Sequence, residues 1–475
     1  MAYRYGDRNQ QFFLPSKIED YVAKDAVVRA YDVIISCLDL TELGIEICPN
    51  KVGCPQYDPM TMLKLLVYGY SYGIRSSRKL ERECNYNLSF IWLSGGLKPD
   101  HKTISEFRKK NKTALKAVLK QCAKLCIKLD LIDGNTLFVD GSKIRGSASI
   151  KNTWDKDKCE RYLKRIDERI EEILGECETV DKDEIENASL VKMKEELKDK
   201  EALKAKVLKL TKELEEENNK TINTTDGDCA RIKGLQGTQA GYNVQIVVDE
   251  KYGLLVNSDV VAENNDVAQF ANQINQGNEV LGKLCNAACA DSGYANTQEL
   301  KKIDAQGIKV VVPSQRQASK KEASPFAKEN FKYDKEKDSY ICPEGQELEY
   351  RYTNKTENVK TYQIKDKDIC QNCRHFDICT KSKQGRKITR LMDEEIKERL
   401  EKNYEEPDSK AIYKKRKEKA ELPFGHIKRN LKMDSFLLRG KEGVRAEMSI
   451  LATCFNIIRM ISIMGVTTLI QRLTT

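Results

Sequence analysis

The sequence predicts an α/β protein whose first part is entirely helical. Between residues 24 and 128, apolar side chains recur at a spacing of three and four positions, which is typical of amphipathic helices. After Asn135, short apolar runs alternate with helical patterns in the order strand, strand, strand, helix, strand, helix, strand. A length of 475 residues fits roughly two to four domains. We therefore expect an all-α part followed by a mixed sheet with helices.

Composition excludes a wholly disordered chain and an integral membrane protein. Hydrophobic residues make up 40% and charged residues 33%, enough for a core beneath a charged surface. The longest apolar stretch, residues 448–473, contains Asn456, Arg459 and Gln471, so we predict a buried amphipathic helix there. The N-terminus lacks the pattern of a signal peptide, which favours the cytosol. The net charge of +9 suits a polyanionic partner without requiring one.

The apolar runs and their turn signals give bounds for the elements of the second part. We expect strands at residues 136–140, 242–249, 254–261, 287–291 and 308–312, and helices at residues 266–276 and 297–304. The second and third of these strands form a predicted hairpin. The chain returns to helix from about residue 408 to its end.

Two insertions interrupt the predicted sheet domain. Residues 150–225 combine helical apolar spacing with many charges, which predicts an antiparallel helical hairpin that we interpret as a solvated structural arm. Residues 314–406 are polar, rich in lysine and hold a cysteine cluster. The predicted organisation is an all-α domain at residues 1–130 and an α/β domain at residues 131–475 that contains both insertions.

Two acidic residues, Asp140 and Asp291, each follow a short apolar strand and precede small residues. Strand ends at one edge of a sheet converge, which is where α/β proteins bind ligands. Two carboxylates there repel each other unless a cation lies between them. Carboxylate oxygens suit Mg²⁺ or Mn²⁺, and two such ions support phosphoryl chemistry. The alternative is that such aspartates only cap turns, as we expect for Asp249.

The third candidate acid, Glu421, lies in a strongly basic stretch. Arg416 and Lys428 flank it, and Arg429 follows. A metal-bound acid among cations that grip phosphate is the composition that a DNA-cutting centre needs. The alternative is a salt-bridge partner, as Glu418 in the same stretch would be.

A cysteine cluster lies in the second insertion. Its members are Cys342, Cys370, Cys373 and Cys379. A Cys-x2-Cys pair presents two thiolates to one tetrahedral zinc ion, and His375 is an alternative to the last cysteine. The competing interpretation is reduced thiols or a redox pair. A bound zinc would be structural, because the segment has few large apolar residues.

Several segments resemble bacterial insertion-sequence DDE transposases, in the group whose RNase H-like catalytic domain carries a cysteine-containing insertion before the last acidic residue. The segments are Gly53-Cys-Pro-Gln-Tyr-Asp-Pro59, Leu66-Val-Tyr-Gly-Tyr70, Ile74-Arg-Ser-Ser-Arg-Lys-Leu-Glu81, Pro99-Asp-His101-Lys-Thr-Ile-Ser-Glu-Phe-Arg108, Phe138-Val-Asp140-Gly-Ser-Lys, Asp228-Cys-Ala-Arg231, Gly241-Tyr-Asn-Val-Gln245 and Ala290-Asp291-Ser-Gly-Tyr294. The resemblance covers nearly the whole chain. It implies an RNase H-like mixed sheet and a helical N-terminal domain that binds DNA.

The resemblance also assigns roles to residues. It implies that Asp140, Asp291 and Glu421 hold two Mg²⁺ or Mn²⁺ ions as the catalytic acids. The residues that it implies for DNA contact, partly through a Tyr-Arg-Glu-Lys signature, are Tyr413, Arg416, Lys428, Arg429 and Lys143. For Lys143, and for Arg145 beside it, a solvated basic loop is the alternative.

The signature departs from the usual spacing at one point. Three residues normally separate its arginine and its glutamate, which would place the acid at Ala420, whereas four residues separate Arg416 from Glu421. Either Arg416 or Lys417 then fills the arginine position. Glu447 is a rival third acid, although the apolar residues after it favour a packing helix.

The activity implied by the resemblance is metal-assisted hydrolysis of a phosphodiester at the element end, followed by attack of the freed 3′-hydroxyl on target DNA. The expected partner is double-stranded DNA, both element ends and target, bound by a homodimer in the cytoplasm at the nucleoid and not at a membrane. Two alternatives are a DNA-binding protein on this scaffold that no longer cuts, and a nuclease that cleaves without strand transfer.

Overall fold

The computed structural model describes residues 17–47, 56–180, 187–216, 221–234, 237–319 and 324–474. Residues 1–16, where a signal peptide would begin, and residues 53–55 of the first N-terminal motif lie outside these ranges. The chain forms two compact units, of which the first comprises Met1–Asp266, Asn272–Asn286 and Lys415–Thr475, and the second Val267–Ala271 and Ala287–Lys414. The domain boundary at residue 130 stays a prediction.

The described chain opens with helices, as the periodicity of residues 24–128 predicts. They are α1 (Val27–Ser36), α2 (Pro59–Ser71), α3 (Ser77–Tyr86), α4 (Leu88–Leu93), α5 (His101–Lys110) and α6 (Lys112–Lys128). The Asp58 carboxylate accepts a hydrogen bond from the Thr61 amide at 2.8 Å, and Pro59 occupies the first turn, where its missing N–H is tolerated. Asp100 caps α5 through the Thr103 amide at 2.7 Å. Capping side chains thus set where α2 and α5 begin.

The sheet of the first unit is organised around its longest strand, β5. Its strands are β1 (Thr136–Arg145), β4 (Ala230–Gly234), β5 (Gly237–Asp249) and β6 (Leu255–Val261), while β2 (Thr153–Trp154) and β3 (Ile222–Asn223) form a separate pair. β5 pairs antiparallel with β1 along one edge and with β4 and β6 along the other. The predicted hairpin of β5 and β6 is confirmed.

β1 is longer than its apolar pattern predicts. Asp140 pairs with Ile246, and the ladder continues to Arg145 opposite Gly241. A backbone ladder needs no apolar side chains, so the polar residues after Asp140 extend the strand although the apolar run has ended. The expectation that Asp140 ends a strand is therefore wrong, because it lies in the middle of one.

Two long helices, α7 (Lys156–Val180) and α8 (Asn187–Glu216), lie between β2 and β3 and pack on each other. Their shared cluster contains Cys159, Leu163, Ile166, Ile170, Val207, Leu210, Leu214 and Ile222. Charged side chains surround it, and Lys204 pairs with Asp167 across the helices at 2.7 Å. The arrangement matches the helical hairpin predicted from the three-and-four spacing.

The second unit contains a parallel strand pair and an antiparallel sheet. The elements from α9 onward are α9 (Phe270–Leu281), which begins in this unit, β7 (Ala287–Cys289), α10 (Thr297–Asp304), β8 (Lys309–Val311), α11 (Gln315–Ala318), β9 (Lys332–Asp334), β10 (Ser339–Ile341), β11 (Glu347–Asn354), β12 (Val359–Ile364), α12 (Lys367–Gln371), β13 (Lys387–Leu391) and α13 (Glu394–Glu405). β7 and β8 are parallel. β9 to β13 form the antiparallel sheet, in the order β13-β12-β11-β10-β9.

The sequence pattern does not predict the five-stranded sheet of residues 332–391. Its core consists of Phe331, Tyr340, Leu348, Tyr362 and Ile388. An antiparallel sheet can face water on one side, so only alternate residues need to be buried. Because two of the buried ones are tyrosines, the segment counts as polar in a sequence scan although it has a core.

The C-terminal helices are α14 (Pro407–Arg429), α15 (Lys441–Met464) and α16 (Val466–Thr474). α15 packs on α2, α6 and β6 in the first unit. Within the described residues it is the single helix long and apolar enough to span a membrane, but 67% of its most apolar window is buried inside the protein, as in a core helix. The buried helix predicted for residues 448–473 is confirmed only in its first part, because α15 ends at Met464 and Gly465, with φ +75°, separates it from α16. In α16 only Leu469 is buried.

A buried ion pair joins α15 to the N-terminal helices. Arg75 donates from Nη1 to Glu447 Oε1 at 2.9 Å, and Glu447 is fully buried. The amides of Leu437 and Leu438 donate to Glu447 Oε2 at 2.9 and 3.0 Å. Burial raises the pKa of Glu447, while Arg75 opposes this shift. Arg75 also donates to the carbonyl of Ser435 at 2.9 Å, so one guanidinium fixes both α15 and the loop before it.

We predict that Glu447→Ala lowers the free energy of unfolding by about 3–5 kcal/mol, because Arg75 would be left as a buried unpaired cation. Glu442→Ala, on the exposed first turn of the same helix, is the matched control and should change it by less than about 0.5 kcal/mol. Urea denaturation followed by circular dichroism measures both. Equal effects of the two substitutions would contradict a structural role for this ion pair.

Candidate active site

The first candidate acid, Asp140, lies beside cationic side chains from α14. Arg416 Nη1 is 3.5 Å from Asp140 Oδ1, and these side chains are only 11% and 13% exposed. Lys428 donates from Nζ to Ser142 Oγ at 2.6 Å. Because residues two apart on a strand share a face, Ser142 and Asp140 project from the same side of β1. The structure thus brings together a carboxylate, a guanidinium and an ammonium.

The Lys428 ammonium is partly removed from water. Burial lowers the pKa of Lys428, and the Asp140 carboxylate opposes this shift by favouring the charged form. The charge of Asp140 therefore favours the protonated form of Lys428. An approaching anion such as a phosphate would stabilise the same charged form further.

Helical geometry determines which α14 residues face β1. Ala420 and Ile427 are fully buried, and Glu421 is exposed. Lys428 follows Glu421 by seven positions, close to two helical turns, so these residues project from the same side of α14. Glu421 therefore lies on the side of the helix from which Lys428 reaches Ser142.

The positions on α14 bear on the unusual spacing between the arginine and the glutamate of the signature. Ala420, where the usual spacing would place the acid, is 0% exposed and packs in the core. Lys417 is exposed, whereas Arg416 lies next to Asp140. The contacts favour Arg416 over Lys417 for the arginine position and leave Glu421 as the acid on the accessible side.

The second candidate acid, Asp291, belongs to the second unit and lies just beyond β7. Its Oδ1 accepts a hydrogen bond from the Gly293 amide at 2.8 Å and caps a short 3-10 turn. Tyr294 in that turn is buried and packs edge-on against Phe270, with ring centroids 6.4 Å apart. The turn-capping alternative thus describes one contact of Asp291, and the Asp-Ser-Gly turn gives its carboxylate a fixed direction.

Two other acidic residues, Glu447 and Asp249, make buried contacts that stabilise the fold. Glu447, the rival third acid, uses both oxygens within the buried pair described above. Asp249 is buried and accepts hydrogen bonds from the amides of Gly134 at 2.8 Å and Lys251 at 3.0 Å. Burial raises the pKa of Asp249 to about 6. Asp249 fixes a turn, as expected.

The proposed DNA-contacting residues fall in different places. Tyr413, on the second-unit part of α14, packs edge-on against Tyr404 with ring centroids 5.4 Å apart. Arg429 is exposed at the helix end. Lys143 lies on β1 and, being an odd number of residues from Asp140, projects from the opposite face. The basic loop expected at Lys143 and Arg145 is therefore wrong, because both belong to the strand.

Sequence reasoning missed Ser142, although its position two residues after Asp140 would have indicated it once β1 was known to continue. It also gave no role to the acids of the Asp228 motif. Asp228 accepts from the Lys441 amide at 2.7 Å, and Asp226 accepts from the Gly440 amide at 3.1 Å. These carboxylates bind the N-terminus of α15, where helix amides favour anions. No local pattern reveals a contact over such a sequence distance.

The four cysteines of the predicted cluster line a single cavity of about 350 Å³ together with His375, Glu344, Arg374 and Arg386. All four are free thiols. Burial raises the pKa of Cys379, Arg386 opposes this, and the other three thiols raise it further. The cysteines are therefore near neighbours.

The candidate acids have the donor type that divalent cations prefer. In the parts of the chain that the structure describes, no group of three or more His, Cys, Asp or Glu side chains converges in a way that could hold a metal ion. Asp140 and Glu421 nevertheless offer carboxylate oxygens in the first unit, and Asp291 offers them in the second. The chemistry of these residues fits Mg²⁺ or Mn²⁺.

Two parts of the chain match known protein families. Residues 341–461 match a model of the transposase DDE domain, and residues 16–110 match a model of a transposase domain (DUF772). Comparisons with curated proteins and with solved structures gave no match. The first match includes α14 with Arg416, Glu421 and Lys428, and the second includes α1 to α5. Both matches are to transposase domains, and together they indicate an insertion-sequence DDE transposase.

Proposed function

We propose that this transposase hydrolyses a phosphodiester at each end of an insertion sequence and joins the freed 3′-hydroxyl to target DNA. The family implies DNA transposition and a DNA partner. The observation that supports the finer proposal most is the cluster of Asp140, Arg416 and Lys428, because it combines a carboxylate with cations that suit a phosphate.

The proposed metal ligands are Asp140, Asp291 and Glu421, with two Mg²⁺ or Mn²⁺ ions. Ions bound at these carboxylates would activate the attacking oxygen and stabilise the leaving oxygen of the phosphodiester. Divalent metal use is what the DDE family implies.

The cationic side chains have roles that follow from their contacts. Arg416 places a positive charge beside the Asp140 carboxylate in a largely buried position. Ser142 accepts a hydrogen bond from Lys428 and thereby holds the ammonium on the Asp140 side of β1. We propose that Lys428 binds a phosphate oxygen next to the scissile bond, positioned by Ser142.

The other proposed contacts lie further from Asp140. Arg429 is exposed and is proposed to bind the DNA backbone near the end of α14. Lys143 projects from the other face of β1, so we assign it to a flanking stretch of DNA. Tyr413 remains a proposed phosphate contact. A homodimer on DNA, in the cytoplasm at the nucleoid, completes the proposal because two element ends react together.

Two alternative functions would give different products from the same DNA. A DNA-binding protein that no longer cuts would shift the mobility of duplex DNA without nicking it. A nuclease without strand transfer would release a 3′-hydroxyl that never joins target DNA. A labelled duplex carrying the element's own end, with a supercoiled plasmid as target, separates all three activities.

We predict that Asp140→Ala, Asp291→Ala and Glu421→Ala each lower the rate of end cleavage by about 100-fold or more, because each removes a proposed metal ligand worth several kcal/mol in the transition state. Glu418→Ala, on the same helix as Glu421, is the matched control and should cleave normally. Glu447→Gln should cleave as long as the protein stays folded.

Two outcomes of these cleavage measurements would contradict the proposal. Normal cleavage by Glu421→Ala with none by a folded Glu447→Gln would give the third acid to α15 instead. Absence of metal-dependent nicking by the wild-type protein on its own element end would favour the non-cleaving DNA-binding protein.

We predict that, as the pH is raised, the rate of end cleavage begins to decline at a lower pH in the wild type than in Lys428→Arg. The pKa of Lys428 is lowered, so its charge is lost at a lower pH than for an ordinary lysine, whereas arginine stays charged. Loss of one charge-assisted contact to phosphate should lower the rate roughly 10- to 100-fold. Cleavage rates across the pH range measure this, with Lys417→Arg at an exposed site as control. Coincident alkaline limbs in all three proteins would contradict the role of Lys428.

A further inference from the structure

The cysteine cavity of the second unit lies outside the proposed DNA-cutting centre and has no role in it. Cys342 follows β10, Cys370 lies in α12, and Cys373 and Cys379 lie in the turns before β13. Their side chains line one cavity although 28 positions separate the first of them from the second. Four thiols gathered from separate turns are the usual arrangement of a structural tetrathiolate zinc site.

Backbone amides already point to two of the sulfurs. The Gln346 amide donates to Cys342 Sγ at 3.3 Å, and the Arg386 amide donates to Cys370 Sγ at 3.5 Å. Hydrogen bonds of this kind stabilise a thiolate over a thiol. Gly345 closes the first turn with φ +81°, a conformation that glycine adopts without strain.

A buried donor on the cavity wall also lacks a partner. Arg386 lines the cavity, and in the described chain its Nε atom is buried without a hydrogen-bond acceptor. The same guanidinium donates to the carbonyls of Cys379 at 2.9 Å and Phe326 at 3.0 Å, so its position is fixed. A buried N–H without an acceptor is costly, and a thiolate sulfur in the cavity would satisfy it.

The contacts discriminate between the candidate ligand sets. His375 Nε2 is 3.2 Å from Glu344 Oε1 and accepts from Arg374 Nε at 3.0 Å. Its ring packs on Phe326, with centroids 4.7 Å apart. Because Nε2 already accepts from Arg374, a set in which His375 replaces Cys379 would have to use Nδ1, whereas the set of four cysteines leaves this hydrogen bond intact.

We propose that Cys342, Cys370, Cys373 and Cys379 bind a structural zinc ion. The thiols do not yet form a closed coordination set in the described residues. A cavity of about 350 Å³ leaves room for cysteine rotation, so we expect the ion to draw the sulfurs inward. Cys342 and Cys379 also pack against the tyrosine-rich core of the five-stranded sheet, and the zinc would strengthen this small core.

The test uses full-length protein purified under reducing conditions without chelator, offered Zn²⁺ and then freed of excess metal. Mass spectrometry of the metal content should find about one tightly bound zinc per chain. Cys370→Ser and Cys373→Ser should lose it. Cys37→Ser, at an exposed free cysteine, should retain it, as should Asp140→Asn, which alters only the proposed catalytic acid.

His375→Ala decides the ligand set and should retain zinc, whereas Cys379→Ser should lose it. The opposite pattern would overturn the four-cysteine assignment. If a cysteine variant fails to fold, Co²⁺ substitution of the wild type gives an independent measurement, because four thiolates produce intense sulfur-to-cobalt absorption. Wild-type protein that retains no stoichiometric zinc and shows no such absorption would refute the site. Metal content is read without DNA cleavage, so this result is independent of the proposed transposition activity.

Discussion

The architecture of the first unit depends on the buried pair of Arg75 and Glu447. The carboxylate receives the guanidinium on one oxygen and two loop amides on the other, and the same guanidinium holds carbonyls of that loop. The loop joins α14 to α15. This connection, residues 430–440, is thus fixed near its α15 end, which restricts where α14 can lie on β1 and where Lys428 can reach.

Charge balance explains why the polar cluster at Asp140 is tolerated in a largely buried place. Arg416 offsets the negative charge of the Asp140 carboxylate directly. Lys428 adds a second positive charge, and its ammonium donates a hydrogen bond to Ser142. The cluster carries a net positive charge when all three groups are ionised. Such a site attracts an anion, which agrees with the DNA partner that the family matches imply.

Much of the secondary structure could be predicted from the local spacing of apolar residues in the sequence. Helical spacing located the N-terminal helices and the hairpin of α7 and α8, and apolar runs located β5, β6 and α10. The resemblance selected Asp140 as an acid and Lys428 as a DNA contact, and those roles stay predictions. Ser142, which accepts a hydrogen bond from Lys428, was missed because a run of polar residues does not show that a strand continues. The sheet of β9 to β13 was missed because tyrosines supply much of its core. The apolar residues after Glu447 favoured a packing helix, but its ion pair could not be predicted from sequence, since its partner Arg75 lies 372 positions away.

The helical arm of α7 and α8 has its own core, and both of its ends meet at one place. β2 precedes the arm and β3 follows it, and Thr153 pairs with Asn223 there. The Asn223 side chain also donates to Thr153 Oγ1 at 2.9 Å. Because the first and last residues of the arm are adjacent, the arm can be gained, lost or exchanged in evolution as one insertion. Such a change would not distort the sheet that carries Asp140. The same geometry makes this arm a natural position for inserting a reporter domain.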